Sequence, residues 1–345
     1  MSARRGPAEL RLGVVGFGRL VRDFYLPALR TLGGLRLVAV ADPLAESRRA
    51  AAARVAGAAI HADHHALLAK TPLDGLLIAS PPSTHLEVWR AATARGIAAF
   101  VEKPLVLACE LPLLDGRESD RRVMVDFNRR FWPPYLRLRK LVHDGALGRP
   151  VHVDFALSLD VLGWSRVTRH RLDEREGGLL HDLGCHAIDL ATELLGEEPD
   201  GVEAGTSSSR WPGDHVRLRL VFPSGASAAC ELAYGARTRE RLALRGPVAA
   251  AWLVEPNAAL HVEPAGARTS RLVATVLDAA VLGYRAIRRS HAIGRASIRG
   301  ALAAFEASLR SGAPFSPGLE DGARNARYVA AALRSAARGG TMTPV

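Results

Sequence analysis

Apolar residues in the first third of the chain come in short unbroken runs, separated by stretches that alternate with a helical period. Residues 10–15 form the first run, which breaks at Gly16-Phe17-Gly18 before an amphipathic stretch over 19–32. A β-branched run over 35–41 ends at Asp42-Pro43, and an Ala/Arg-rich helix fits 45–55. A short strand near Ile60, a small helix over 64–69 and a buried-type strand over 73–79 follow, the last stopped by Pro81-Pro82. A helix over 84–94 and a strand over 97–101 close the series. Strands that are apolar throughout and alternate with helices predict a parallel sheet covered on both faces.

The pattern changes after Val125. A helix fits 135–144, a strand 151–162, and a helix 180–195 that stops at Gly196, a usual C-terminal cap residue. From 201 to 262 the chain reads as successive strands, with Val216, Leu218, Leu220 and Phe222 set between Arg217, Arg219 and Val221. Such alternation predicts an antiparallel sheet with one open face. Helices return over 272–287, 297–310 and 319–337. The expected fold class is therefore α/β: a doubly wound, Rossmann-type parallel sheet in residues 1–127, then an α+β domain with a large, mostly antiparallel sheet in 128–345. The terminal helices are candidates to pack back on the first domain.

Length and composition narrow the class. The chain has 345 residues, enough for two domains. Cys109, Cys185 and Cys230 lie far apart, so neither a disulfide framework nor a structural zinc is expected, and no metal is assigned. The longest apolar stretch, 273–287, contains Asp278 and is too short to span a bilayer. The expectation is a cytoplasmic protein with no membrane partner. The net charge of +11 raises nucleic acid as a partner, but the arginines are scattered, no block of five like charges occurs and aromatics make up 6%. That reads as a basic but ordinary surface, and no nucleic-acid partner is expected. Of 46 basic residues only Lys70, Lys103 and Lys140 are lysines. Each is worth inspection, because lysine can release its proton near neutral pH and arginine cannot.

Gly16-x-Gly18 follows a strand and opens a helix, and Asp42 ends the second strand, 24 residues after Gly18. Glycines there let backbone approach a pyrophosphate seated at the helix N-terminus, and the acidic residue accepts hydrogen bonds from the adenosine ribose. The third fingerprint position is Val21 rather than Gly or Ala, a departure that crowds the helix–strand contact. The register of strand, turn, helix, strand and Asp predicts dinucleotide binding. Asp42 would repel a 2′-phosphate, and the next arginines, Arg48 and Arg49, lie a turn or more into the following helix; NAD is favoured, with NADP possible.

Glu102-Lys103-Pro104 sits at the C-terminal end of a strand, the edge where open α/β sheets bind ligands. In Gly177-Gly178…His181-Asp182-Leu183-Gly184-Cys185-His186…Asp189, the residues Asp182, His186 and Asp189 fall at i, i+4 and i+7 of a helix. Taken alone, that stripe is equally the solvated face of an amphipathic helix. Trp164, His170, Arg171 and Arg175 precede the paired glycines and are pocket candidates. Arginine there suits a phosphate or carboxylate, though in so Arg-rich a chain it also reads as ordinary surface.

Together these segments resemble the Gfo/Idh/MocA family, the glucose–fructose oxidoreductase and inositol dehydrogenase relatives. The resemblance runs through 13–18, Ala79-Ser80-Pro81-Pro82-Ser83-Thr84-His85, Glu102-Lys103-Pro104-Leu105, Phe127-Asn128-Arg129-Arg130-Phe131 and 177–189, and is weaker over 235–295. It implies that Lys103, Asp182 and His186 are catalytic. It implies a cofactor site at Gly16, Phe17, Gly18, Arg19, Leu20, Asp42, Ser80, Pro81, His85, Glu102 and Lys103. Substrate contacts are expected at Lys103, Asn128, Arg130, Trp164, Asp182 and His186. The implied reaction is hydride transfer between NAD(P) and a secondary alcohol or ketone of a sugar, cyclitol or nucleotide sugar, in a homodimer or homotetramer joined by the open sheet face. His186 is the candidate base, Asp182 can orient it, and Lys103 can hydrogen-bond the reacting oxygen; which of Lys103 and His186 moves the proton stays open. Two rivals remain on the same fold: a non-catalytic dinucleotide-binding regulator, and an NAD-dependent glycosidase.

Overall fold

The computed structural model describes residues 9–114, 122–161, 177–235, 238–254, 260–266 and 292–345. They form two compact units, Met1–Asn128 with Gly294–Arg324, and Arg129–Ile293 with Asn325–Val345. No helix among the described residues is long and apolar enough to cross a membrane. The helix expected over 272–287 lies outside the described residues.

The first unit is built on six parallel strands: β1 (Leu10–Val15), β2 (Leu35–Ala41), β3 (Ala59–His61), β4 (Gly75–Ile78), β5 (Ala98–Val101) and β6 (Val123–Val125), in the order β3-β2-β1-β4-β5-β6. Strands β4, β5 and β6 are buried along their whole length, as expected where helices cover both faces. The reversal of strand order beside β1 is the topological switch point at which such sheets bind ligands. The helices are α1 (Leu26–Leu29), α2 (Ala45–Arg54), α3 (His64–Lys70) and α4 (His85–Thr93). The stretch expected as one helix over 19–32 is helical over 19–29, with a π-turn at Val21–Tyr25 running into α1. Strand β6 was not anticipated, because three residues are too few to display a period.

The second unit contains α5 (Pro133–His143), α6 (Cys185–Leu195) and the strands β7 (His152–Asp160), β8 (Gly201–Ser207), β9 (His215–Val221), β10 (Ser227–Gly235), β11 (Arg239–Arg245), β12 (Ala249–Val254), β13 (His261–Pro264) and β14 (Thr343–Pro344). The sheet order is β13-β12-β11-β7-β10-β9-β8-β14. All pairs are antiparallel except β7 with β10. On β9 Val216, Leu218 and Leu220 are buried while Arg217 and Arg219 are exposed, so one sheet face is core and the other open. Helix α6 ends at Gly196, which takes the left-handed conformation expected of a C-terminal cap. Two long helices follow, α7 (Ala292–Ser311) and α8 (Leu319–Ala337). In the first unit Phe305 of α7 packs edge-on against Phe100 of β5, with ring centroids 5.4 Å apart.

Candidate active site

The turn after β1 rests on Gly16, at φ +88°. A Cβ there would lie 2.6 Å from the Ala79 carbonyl oxygen, so glycine alone closes this turn. The Phe17 N–H donates to Asp42 Oδ2 at 2.7 Å, and the Leu44 N–H to Asp42 Oδ1 at 2.8 Å. The buried Asp42 therefore ties the glycine turn to the end of β2, and each carboxylate oxygen keeps a lone pair that a ribose hydroxyl can use. A Cβ on Gly18 would meet nothing within 4 Å, which is the room a pyrophosphate needs beside the backbone. These residues fit a dinucleotide. Leu20 precedes the π-turn, Arg19 Nε donates to Asp23 at 3.1 Å, and Val21 is fully buried. Arg48, expected to lie away from Asp42, reaches back: its Nη1 donates to the carbonyls of Asp42 at 2.9 Å and Pro43 at 2.7 Å.

The next groups hang from the ends of β4, β5 and β6. The Glu102 N–H donates to the Ile78 carbonyl at 2.9 Å and the Asp126 N–H to Val101 at 2.7 Å, setting Glu102, Lys103 and Asp126 just past the carboxyl edge. His85 is buried, and its ring nitrogens lie 2.8 Å from the Pro104 carbonyl and 2.9 Å from that of Ser80. It clamps the Ser80-Pro81 segment to the turn that carries Lys103. Ser80 Oγ is 2.6 Å from Thr84 Oγ1. The Glu102 side chain turns inward. Its Oε1 lies 2.5 Å from the Tyr25 hydroxyl, which also makes a short contact with Asp126 Oδ2. Burial, reinforced by the Glu102 charge, lifts the Asp126 carboxyl well above the usual range. Burial likewise raises the Tyr25 hydroxyl. Asn128, a substrate candidate, lies beside Asp126 and favours its ionised form. Neither Tyr25 nor Asp126 stood out in the sequence; the only signal was an Asp interrupting the apolar run Val123-Met124-Val125…Phe127.

In the second unit Gly177, at φ +91°, starts the turn, and its carbonyl lies 2.9 Å from His181 Nδ1. The helix expected over 180–195 begins as a π-turn, Leu180–Gly184, and continues as α6. Its stripe lies largely out of solvent: His186 is 9% and Asp189 3% exposed, while Asp182 is half-buried. Asp182 Oδ2 accepts from the Tyr234 hydroxyl at 3.0 Å. Asp189 is held by Arg130, whose Nε lies 3.1 Å from both carboxylate oxygens and whose Nη2 lies 2.5 Å from Oδ1. Arg130 also pairs with Glu193 at 3.2 Å. Two residues read separately, one as part of the helix stripe and one as a substrate contact, are thus partners of each other. Asn325 donates to the Cys185 carbonyl at 2.8 Å, anchoring α6 from α8.

Lys103 with the cofactor candidates belongs to the first unit, and Arg130, Asp182 and His186 belong to the second. Trp164, His170, Arg171 and Arg175 lie outside the described residues. Among the described residues one group has metal-ligand spacing: the Nε2 atoms of His64 and His65 lie 3.4 and 3.5 Å from Glu87 Oε1. His65 and Glu87 are largely exposed, and a surface histidine–carboxylate contact accounts for the arrangement.

Residues 10–115 match the model of the oxidoreductase family with an NAD-binding Rossmann fold, and residues 135–249 match the GFO/IDH/MocA C-terminal domain. Inositol 2-dehydrogenase 4 of Saccharopolyspora erythraea is 34% identical over 229 residues, which cover 63% of this chain and 60% of that protein. The chain thus spans about 60% of the length of the curated relatives it matches. A myo-inositol dehydrogenase from Corynebacterium glutamicum superposes with a TM-score of 0.76 at 22% identity, over 98% of this chain and 99% of that one. The WlbA dehydrogenase of Bordetella pertussis, solved with NADH and UDP-GlcNAcA, gives 0.79 at 20% identity over 98% of both chains. These two likenesses establish the fold.

Proposed function

The chain belongs to the Gfo/Idh/MocA oxidoreductase family, and from that premise we propose that it is an NAD-dependent dehydrogenase acting on a secondary alcohol of a cyclitol or sugar. The observation that carries this reading is the carboxyl edge of the first sheet. There the Gly16 turn, tied down by Asp42, follows β1 and the Lys103 turn, clamped by His85, follows β5, with the end of β4 and its Ser80 segment between them. The names of the curated relatives, inositol 2-dehydrogenases, favour a cyclitol as substrate.

NAD, when bound, supplies the hydride acceptor. The chain's own residues then have three tasks. Gly16, Phe17 and Gly18 offer backbone to the pyrophosphate, with Asp42 on the ribose. Lys103 hydrogen-bonds the reacting oxygen and stabilises charge developing there. His186 accepts the hydroxyl proton, with Asp182 one turn earlier orienting it or holding a substrate hydroxyl. The experiment is NADH formation from NAD+ across a panel of cyclitols, free sugars and nucleotide sugars. Net hydrolysis without net NADH would select the glycosidase reading, and NAD binding without turnover the regulator.

The assembly proposed is a homodimer or homotetramer joined through the open face of the eight-stranded sheet. Arg217, Arg219 and Arg241 share that face with Glu203, Glu231 and Asp154, a mixed-sign surface able to complement its own copy across a two-fold axis. Light scattering at micromolar concentration is expected to give a dimer or tetramer, and a monomer would rule the interface out. The three free cysteines accord with a reducing cytoplasmic setting.

A further inference from the structure

We propose that Tyr25, Glu102 and Asp126 form a proton-holding site beside Lys103, in which Asp126 keeps a proton at neutral pH and so sets how easily Lys103 releases its own. Two short oxygen–oxygen contacts converge on the Tyr25 hydroxyl, one from Glu102 Oε1 at 2.5 Å and one from Asp126 Oδ2. Each contact needs one hydrogen, and a phenol supplies one. The second must sit on a carboxyl group. An ionised tyrosine would need both carboxyls protonated, so at least one carboxylic acid is present in either case.

Burial decides which carboxyl holds it. Asp126 is 0% exposed and Glu102 is 7% exposed, and the deeper group is the more costly to ionise. The groups facing Asp126 are Glu102 and Lys103 from the end of β5, Tyr25 from the π-turn and Asn128 from its own loop. On α8, whose Gly322 packs against Leu105 and Val125, Asp321 is taken up by Arg324 at 3.1 Å. On α4, His85 reaches the Pro104 carbonyl next to Lys103. The hydrophobic wall is Phe100, edge-on to Tyr25 with ring centroids 6.1 Å apart.

The consequence falls on Lys103. Its charge favours the ionised form of Asp126. Coupling between titrating groups is reciprocal, so an ionised Asp126 would hold the Lys103 proton more tightly. With Asp126 protonated, Lys103 sits beside one negative charge instead of two, and its proton is easier to transfer. Asp126 and Tyr25 are thus positioning residues that act through Glu102 and Lys103. The catalytic consequence rests on the hydride-transfer reading, whereas the proton count does not.

The test uses the whole 345-residue chain. An infrared spectrum near pH 7 is expected to show a carboxylic acid band that shifts on aspartate carboxyl labelling and is lost in Asp126→Asn. Absence of that band in the wild-type protein overturns the proposal without any variant. Only three lysines are present, so methyl labelling of amines lets Lys103 be titrated by NMR. Asp126→Asn, isosteric with the neutral acid, is expected to leave the Lys103 midpoint in place. Glu102→Gln is expected to lower it by about one unit or more. If Asp126→Asn lowers the midpoint as much as Glu102→Gln does, Asp126 is the charged partner and the assignment fails. Turnover plays no part in these readings, so a failed substrate screen leaves the proton count standing or falling on its own.

Discussion

At the carboxyl edge of the six-stranded sheet each candidate group hangs from a strand end and is placed by backbone contacts. Asp42 holds the Phe17 and Leu44 N–H groups, and His85 sits against two carbonyls. In the second unit Asp182, His186 and Asp189 ride on one buried helix instead, and the ion pair with Arg130 fixes its polar face. The difference predicts where damage goes. Altering the strand-end site should be felt first by the ligand, while altering the helix partner should be felt first by the fold.

The largest expected effect follows from the helix side. Arg130→Ala leaves Asp189 buried without its guanidinium, and removing one member of a buried pair typically costs about 3–5 kcal/mol. The thermal midpoint of Arg130→Ala should drop sharply, and a stability equal to wild type would show that the pair does not hold the helix. A smaller effect is expected on the strand side. Asp42→Ala removes a charged hydrogen-bond acceptor worth about 1.5–3 kcal/mol, so NAD+ should bind about tenfold or more weakly while NADP+ changes little. Calorimetric titration of both cofactors against both proteins checks this. Tighter NADP+ than NAD+ in the unaltered protein would instead point to Arg48, whose guanidinium lies at the end of β2.

How far the sequence could be read follows the same division. Gly16, Asp42 and Lys103 were legible because a tight turn and a strand end are local features. The Tyr25–Glu102–Asp126 cluster was not, since its members stand 77 and 101 residues from Tyr25 along the chain. Arg130 and Asp189 are 59 residues apart, and nothing in a helical stripe says that one of its carboxylates is already spoken for. Alternation along β7 and β10 identified their buried faces but not that the two pair in parallel, because a period of two carries no direction. The π-turns at Val21–Tyr25 and Leu180–Gly184 were read as plain helix, since one wide turn barely disturbs the apolar stripe.

We propose that Lys103 and His186 serve one hydride-transfer reaction. The most direct measurement is NADH formation on a substrate found in the cyclitol and sugar panel, run with wild type, Lys103→Met and His186→Ala beside NADH binding followed by fluorescence. Acid–base groups contribute about 10²–10⁴-fold, so each variant should lose turnover in that range while NADH affinity moves by less than about tenfold. Near-full turnover in both variants, or no NADH from any substrate in the panel, would exclude that shared role.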